Sequence, residues 1–310
     1  MPAVSICIPT YKRPELLKLA VESCLAQTLT DFEIIIGDDS PDSQSEETIH
    51  SLRASQPIRY FRNSPRAGQA KNVNQLFVAA QGEFLVLLHD DDVLSPNALE
   101  NMIKPLQQNP DVVAAFGKQL VVNQDGDVLQ PESESLNRKY CRTDQRANRV
   151  QSSAWAALVQ QLPCDGYMVR TAAARATLYR DEPEVGQACD ADFGYRLMAQ
   201  GDFFFLGEFT SAYRITADSI SSTGLRIHLS NLYFILKTLA VPDDLEDVRR
   251  ARLEELAPPA VNGCLLRAAR SKALSILFGP HYPWGRRPVK GSIQLGLVFL
   301  PRVVSGIFLK

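Results

Sequence analysis

The stretch that most limits how this chain can fold is Glu83 to Asp92, EFLVLLHDDD. An apolar run, Phe84 to Leu88, passes without polar alternation into His89 and then Asp90, Asp91 and Asp92. A run of this kind reads as a strand buried on both faces, as in parallel sheets covered by helices. Adjacent carboxylates at its end repel one another, and each resists ionising where water is scarce. A divalent cation with oxygen ligands resolves that conflict. Open α/β sheets also bind their ligands at this end of their strands. A solvated acidic turn capping a helix near Pro96 is the competing reading of the triplet taken alone.

The surrounding chain alternates strands and helices. Strands are expected at Val4–Ile8, Glu33–Ile36, Ile58–Phe61, Phe84–Leu88 and Val112–Phe116. Helices are expected at Pro14 to about Gln27, Ser43 to Ser55, Ala67–Ala80 and Pro96–Gln108. Pro14 suits a first helical turn, and Pro105 should bend or shorten its helix. This alternation predicts βαβ units with right-handed crossovers and a parallel sheet.

From Lys118 the pattern changes. Gln119–Asn123 and Val128–Gln130 around Asp125-Gly126 predict a hairpin. Residues 131–150 are polar and irregular and read as a loop over the site. Helices are expected at Ser153–Leu162, Thr171–Leu178 and Asp190–Gln200, and strands at Tyr167–Val169, Phe203–Leu206 and Ala212–Ile215. After Leu225 the chain reads as helices interrupted by Pro242, Pro258-Pro259 and Gly279–Pro288. The division expected is 1–118, 119–224 and a helical extension, 225–310.

Net charge is −2 over the whole chain, yet every acidic residue lies at or before Glu255. Arg267, Arg270, Lys272, Arg286, Arg287, Lys290, Arg302 and Lys310 follow it. A basic tail on an acidic body suits an anionic lipid surface, or a basic helical subdomain packed on that body. Ser292–Leu309 is apolar but broken by Gly296, Pro301, Arg302 and Gly306, which is short of a spanning helix. It reads as an interfacial amphipathic helix or a buried terminal one. The six scattered cysteines contain no C-x-x-C pair and read as reduced thiols. No leader peptide is expected, and no nucleic-acid partner.

Three clusters follow strands: Pro9-Thr10-Tyr11-Lys12-Arg13, Asp38-Asp39-Ser40 and the aspartate triplet. Converging in one crevice, they suit a nucleotide. A tyrosine can stack on a base, a carboxylate can accept the ring N–H of uracil or thymine, and metal-bound aspartates can hold a diphosphate. Lys71 could add positive charge nearby. Tyr11 also reads as a plain boundary aromatic, Lys71 as a solvated helix lysine, and Asp190 as a helix cap. The chain has no G-x-x-x-x-G-K-[ST], no G-x-G-x-x-G after its first strand and no G-x-S-x-G.

VSICIPTYKRPELLKLAVESCLAQTLTDFEIIIGDDS, the AKN helix with QGEFLVLLHDDDVLSPNALE, then CDADFGYRLMAQG and YRITADSIS follow in order from Val4 to about Ser221. In this order and spacing the sequence resembles a family 2 glycosyltransferase. The resemblance implies a GT-A (Rossmann-like) α/β fold, a mostly parallel sheet flanked by helices. It implies an inverting, metal-dependent hexosyl- or deoxyhexosyltransferase. Such an enzyme moves a sugar from a UDP- or dTDP-linked donor to a hydroxyl of a glycan or glycolipid, in cell-surface polysaccharide synthesis. The expected location is cytoplasmic, peripheral on the inner face of the cytoplasmic membrane.

By that resemblance Pro9, Thr10, Tyr11 and Arg13 border the nucleotide. Asp39 reads the pyrimidine with Asp38 beside it, and Lys71 supplies charge. His89 stands at the first position of the metal motif, so Mg²⁺ or Mn²⁺ is expected on Asp91 and Asp92, with Asp90 close. Asp190 takes the catalytic-base position, with Asp192 the alternative. Thr216 stands where the family often carries a histidine. A nucleotidyltransferase would need a glycine-rich basic loop where this chain has PTYKRP. A non-catalytic sugar-nucleotide-binding or scaffold protein of the same fold stays open through His89 and Thr216.

Overall fold

The computed structural model describes residues 1–54, 56–216 and 225–300. Ser55, residues 217–221 of the YRITADSIS motif, and 301–310 with Arg302 and Lys310 lie outside the described residues. The chain divides into two compact units. One comprises 1–179 with 196–216, the other 180–195 with the chain after Thr216.

The first unit opens with β1 (Val4–Thr10), α1 (Pro14–Leu25), β2 (Phe32–Asp38), α2 (Gln44–His50), β3 (Ile58–Arg62), α3 (Gln69–Ala79) and β4 (Phe84–Leu87). The four strands pair in parallel in the order β3-β2-β1-β4. Ile6 lies opposite both Ile34 and Val86, which makes the unbroken apolar runs the buried centre of the sheet. Thr10 lies opposite Asp38, so these strands end along one edge. α1 starts on Pro14 with Glu15 in its first turn, and buries Leu17, Ala20, Val21 and Cys24. Gly37 admits α3 to the end of β2. A Cβ there would lie 2.1 Å from Asn72 Oδ1, while Asn72 Nδ2 donates to the Gly37 carbonyl at 2.7 Å.

After β4 come β5 (Val93–Leu94), α4 (Ala98–Gln108), β6 (Val112–Val122) and α5 (Gln130–Lys139). Then follow β7 (Arg149–Gln151), α6 (Ser153–Leu158), β8 (Tyr167–Arg170), α7 (Thr171–Thr177), α8 (Cys189–Leu197) and β9 (Asp202–Arg214). The sheet runs β3-β2-β1-β4-β8-β6-β9-β5, with β7 also on β9. β8 is antiparallel to β4 and β6, whereas β6 and β9 are parallel. Residues 118 and 119 are neighbours inside β6, so the two expected halves share a strand.

Several expectations are corrected here. The expected strands Val112–Phe116 and Gln119–Asn123 merge into β6, which ends at Val122, and Phe203–Leu206 and Ala212–Ile215 merge into β9, which ends at Arg214. Register shifts around Lys118 interrupt the pairing of β6 with β9 where the alternation breaks in sequence. The expected hairpin is a single bridge, Val122 to Val128, around a left-handed Gly126. Residues 131–150 are not a loop but carry α5, a 3₁₀ turn at 144–146 and β7. α5 shows no apolar stripe because polar side chains dock it. Val121 N–H donates to Ser133 Oγ at 2.8 Å. Asn137 accepts from Gln119 N–H at 3.1 Å and donates to the Gln119 carbonyl at 2.7 Å.

In the second unit α9 (Leu225–Thr238), α10 (Glu246–Leu266), α11 (Arg270–Leu277) and α12 (Pro288–Phe299) bury Leu236, Leu253, Ala257, Val261 and Ile276. Pro258-Pro259 does not interrupt a helix but lies inside α10. Proline forfeits a backbone donor, so the carbonyls of Glu254 and Glu255 lose their helical partners. Gln294 of α12 donates to the Pro258 carbonyl at 2.7 Å and accepts from Tyr282 Oη at 2.6 Å. α12 buries Gly291, Gln294, Leu297 and Val298, and turns Val289, Ile293 and Phe299 to solvent. No helix among the described residues is long and apolar enough to cross a membrane.

Candidate functional site

The turns after β1, β2 and β4 meet at the C-terminal edge of the parallel strands. β8 and β9 deliver Asp165 and Arg214 to the same place. The three aspartates after β4 have three different surroundings. Asp90 is buried; its Oδ2 accepts from Thr10 Oγ1 at 2.7 Å and Tyr11 N–H at 3.3 Å, and its Oδ1 lies 3.3 Å from Arg13 Nη1. Burial first, then the charge of Asp91, raises its carboxyl above the usual range, opposed by Thr10 and Arg13. Asp91 is half-buried and accepts from Arg13 Nη1 at 2.7 Å. Arg13, expected at the nucleotide, is thus the internal counter-charge of Asp90 and Asp91.

Asp92 is buried, and its Oδ1 accepts from Arg214 N–H at 2.7 Å. Its Oδ2 is buried with no hydrogen-bond partner. Burial, then the charges of Asp165 and Asp91, push its carboxyl well above the usual range. Two neighbouring carboxylates with one oxygen unsatisfied require either a shared proton or a cation.

The ligand atoms of His89, Asp91 and Asp92 lie within 4.8 Å of one another, so these residues could hold a divalent cation. The imidazole-carboxylate set and the orphaned Asp92 oxygen both fit such an ion. Asp90 lies outside this group, and Thr10, Tyr11 and Arg13 engage both its oxygens. His89 joins instead. Arg214, given no role from sequence, clamps the turn. Its Nε donates to the Asp91 carbonyl at 3.0 Å and its Nη1 to the carbonyls of Asn123 and Gln124 at 3.1 and 3.0 Å.

The turn after β2 is closed by protein. Asp38 accepts from Ser40 N–H and Tyr60 Oη. Asp39 accepts from Asn63 Nδ2 at 2.9 Å, Ala67 N–H at 3.0 Å and Gly68 N–H at 2.8 Å. Arg66 Nε stands 3.9 Å from Asp39 Oδ2, and its guanidinium lies 3.9 Å over the exposed Tyr11 ring. Sequence reasoning missed Arg66, which has no motif around it. Pro9 is half-buried at the end of β1, and Lys71 is exposed in the first turn of α3.

In the second unit, Asp190 and Asp192 both lie in the first turn of α8. Asp192 is fully buried and bound by the Arg180 guanidinium through both oxygens. Asp190 is half-buried and accepts from Ala191 N–H at 2.9 Å. Thr216 is buried in the first unit with its hydroxyl unpartnered. A cleft of roughly 310 Å³ lies elsewhere in that unit, lined by Arg146, Arg149, Val150, Gln151, Ser152 and Trp155. There the Arg146 guanidinium lies 3.7 Å over the Trp155 ring.

Residues 5–155 match the family model described as Glycosyl transferase family 2. A Campylobacter jejuni protein, GalNAc(5)-diNAcBac-PP-undecaprenol beta-1,3-glucosyltransferase, is 34% identical over 106 residues, 34% of each chain. The chain spans about a third of the length of the curated relatives it matches. Staphylococcus aureus TarS 1-349 in complex with UDP shares the fold, with a TM-score of 0.65, 15% identity, and coverage of 98% of this chain and 90% of that one. The mannosyltransferase PcManGT from Pyrobaculum calidifontis, in complex with GDP-Man and Mn²⁺, gives a TM-score of 0.59 at 15% identity, covering 95% of this chain and 86% of that one. The architecture is therefore the GT-A fold, and residues 5–155 carry the match to family 2 glycosyltransferases.

Proposed function

We propose that this protein is an inverting glycosyltransferase. It moves a sugar from a UDP- or dTDP-linked donor to a hydroxyl of a glycan or glycolipid acceptor in cell-surface polysaccharide synthesis. The observation that carries this reading is the His89–Asp91–Asp92 group at the end of β4, beside the turns holding Tyr11 and Asp39. A relative named for a PP-undecaprenol-linked glycan and a structural neighbour in complex with UDP support the substrate classes.

In this reading residues 1–118 bind the donor, and 119–224 supply the acceptor site and the base. The base of the nucleotide packs by Tyr11, taking the place Arg66 now fills. Asp39 orients it, and Thr10 and Arg13 hold the turn against Asp90. Lys71 adds positive charge. His89, Asp91 and Asp92 hold Mg²⁺ or Mn²⁺, which when bound offsets the charge that develops on the leaving diphosphate. Asp190 accepts the proton of the acceptor hydroxyl. That oxygen attacks the anomeric carbon from the face opposite the diphosphate. Asp192 is set aside as base because its carboxylate is buried against Arg180.

Acceptor binding falls to residues 119–180, where the Arg146–Trp155 cleft suits a saccharide: an aromatic face for the ring, arginines for anionic groups. The outward Val289, Ile293 and Phe299 of α12, beside Arg286, Arg287 and Lys290, suit peripheral attachment to the anionic inner face of the cytoplasmic membrane.

The test is release of UDP or dTDP from a donor panel with Mn²⁺ or Mg²⁺ and lipid-linked acceptors. Asp190→Asn should abolish transfer and retain UDP binding. Full activity in that variant overturns the base assignment. UDP binding without turnover on any donor overturns the enzymatic reading in favour of a binding role.

A further inference from the structure

His89 belongs to two donor groups. Its ligand atoms lie within 4.8 Å of those of Asp91 and Asp92, and also within 4.8 Å of those of Cys164 and Asp165. The first group is mostly oxygen. The second contains a thiol. We propose that His89, Cys164 and Asp165 form a second cation site, selective for thiophilic divalent metals such as Zn²⁺, that competes with the oxygen-rich group for one imidazole. This proposal does not depend on the sugar-transfer reading, because it is tested by metal binding alone.

The local structure holds the three donors together. Asp165 is fully buried at the lead-in to β8, and its Oδ2 accepts from His89 N–H at 3.0 Å. Cys164 Sγ lies 3.7 Å from Asp165 Oδ1. Gly166 follows with a φ of 70°, where a Cβ would lie 2.4 Å from Ser211 Oγ. That close approach to β9 fixes the backbone carrying Cys164 and Asp165. Arg142, fully buried, donates to Gln119 Oε1 and the Gln161 carbonyl, both at 2.8 Å. Its charge lies close to Cys164 and Asp165. Asp92 of the first group, whose buried Oδ2 has no hydrogen-bond partner, neighbours Asp165 of the second.

Chemistry separates the two groups. Mg²⁺ takes oxygen ligands in near-octahedral geometry and gains nothing from a thiol. Zn²⁺ accepts sulfur, imidazole and carboxylate, and three protein ligands leave it one open position. On binding, the Cys164 thiol loses its proton to solvent as the sulfur–metal bond forms, so one proton is released per ion. A neutral imidazole has a single acceptor nitrogen. His89 therefore serves one cation at a time, and Zn²⁺ at the sulfur site withdraws it from the oxygen site.

Co²⁺ is the probe, added to the full-length protein under reducing conditions. A thiolate-to-cobalt charge-transfer band is expected in the near ultraviolet. It should vanish in Cys164→Ser, weaken at least roughly tenfold in affinity in His89→Ala, and persist in Asp91→Asn and in the Cys141→Ser control. Bound Mn²⁺, followed by electron paramagnetic resonance, should be released from the wild type at roughly tenfold lower Zn²⁺ than from Cys164→Ser, where Zn²⁺ competes only at the oxygen-rich group. Absence of the band, or its survival in Cys164→Ser, overturns the site. Equal Mn²⁺ release from both proteins overturns the competition.

Discussion

The two aspartate turns at the sheet edge are built from the same residue type and differ in how their oxygens are satisfied. After β2, Asp38 and Asp39 receive hydrogen bonds from Ser40, Tyr60, Asn63, Ala67 and Gly68. After β4, Asp92 keeps one buried oxygen without a partner and stands beside Asp165. The oxygens of the first turn have donors within the protein and fix the loop from Asn63 to Gly68. The second is incomplete until positive charge arrives, and an unsatisfied carboxylate in such a place marks where a ligand belongs.

This contrast can be broken by experiment. The largest effect is expected from Asp91→Asn, which removes a cation ligand and should lower turnover on the order of a hundredfold; loss of the Mn²⁺-induced rise in melting temperature reports the same defect without substrate. Next comes Arg214→Ala, which strips the guanidinium from the carbonyls of Asp91, Asn123 and Gln124 while the backbone N–H to Asp92 remains. It should cost about 3 kcal/mol in urea unfolding, because the carbonyls lose charge-assisted donors. The isosteric amides then act with opposite signs. Asp39→Asn turns an amide donor toward the N–H of either Ala67 or Gly68, whichever oxygen it replaces, and should destabilise by about 2 kcal/mol. Asp92→Asn removes a buried repulsion and should stabilise the metal-free protein by about 1 kcal/mol. The same sign for both would end the distinction. Tyr60→Phe, which removes one donor to Asp38, should cost about 1 kcal/mol, with cation binding unchanged by titration.

Much of the first half was legible because its signals are local. The run from Phe84 to Leu88, Pro14 at a helix start and the post-strand turns each carry their meaning within a few residues. The second half was harder because long-range partners decide it. β6 and β9 bulge at Lys118 and break the alternation that would reveal a single strand. α10 runs through Pro258-Pro259 and packs there on α12, whose Gln294 donates to the Pro258 carbonyl. At the site, the triplet's position was readable, but the division of labour within it was not. Asp90 is taken by Thr10 at the end of β1 and Arg13 before α1, and Asp92 is set by Arg214 of β9 and Asp165 just before β8. None of these partners is near in sequence, and neither is Cys164, whose closeness to His89 only the fold creates.

The way α5 is fastened has a thermal consequence. Ser133 and Asn137 hold it to β6 by hydrogen bonds, whereas α1 is held by buried Leu17, Val21 and Cys24. Releasing α5 exposes little apolar surface and so changes heat capacity little, while releasing α1 exposes much. Opening of α5 should therefore be governed by enthalpy and grow steadily on warming. Opening of α1 should pass through a minimum near the temperature of greatest stability. Amide exchange followed across temperature would show two helices of one domain loosening by different laws.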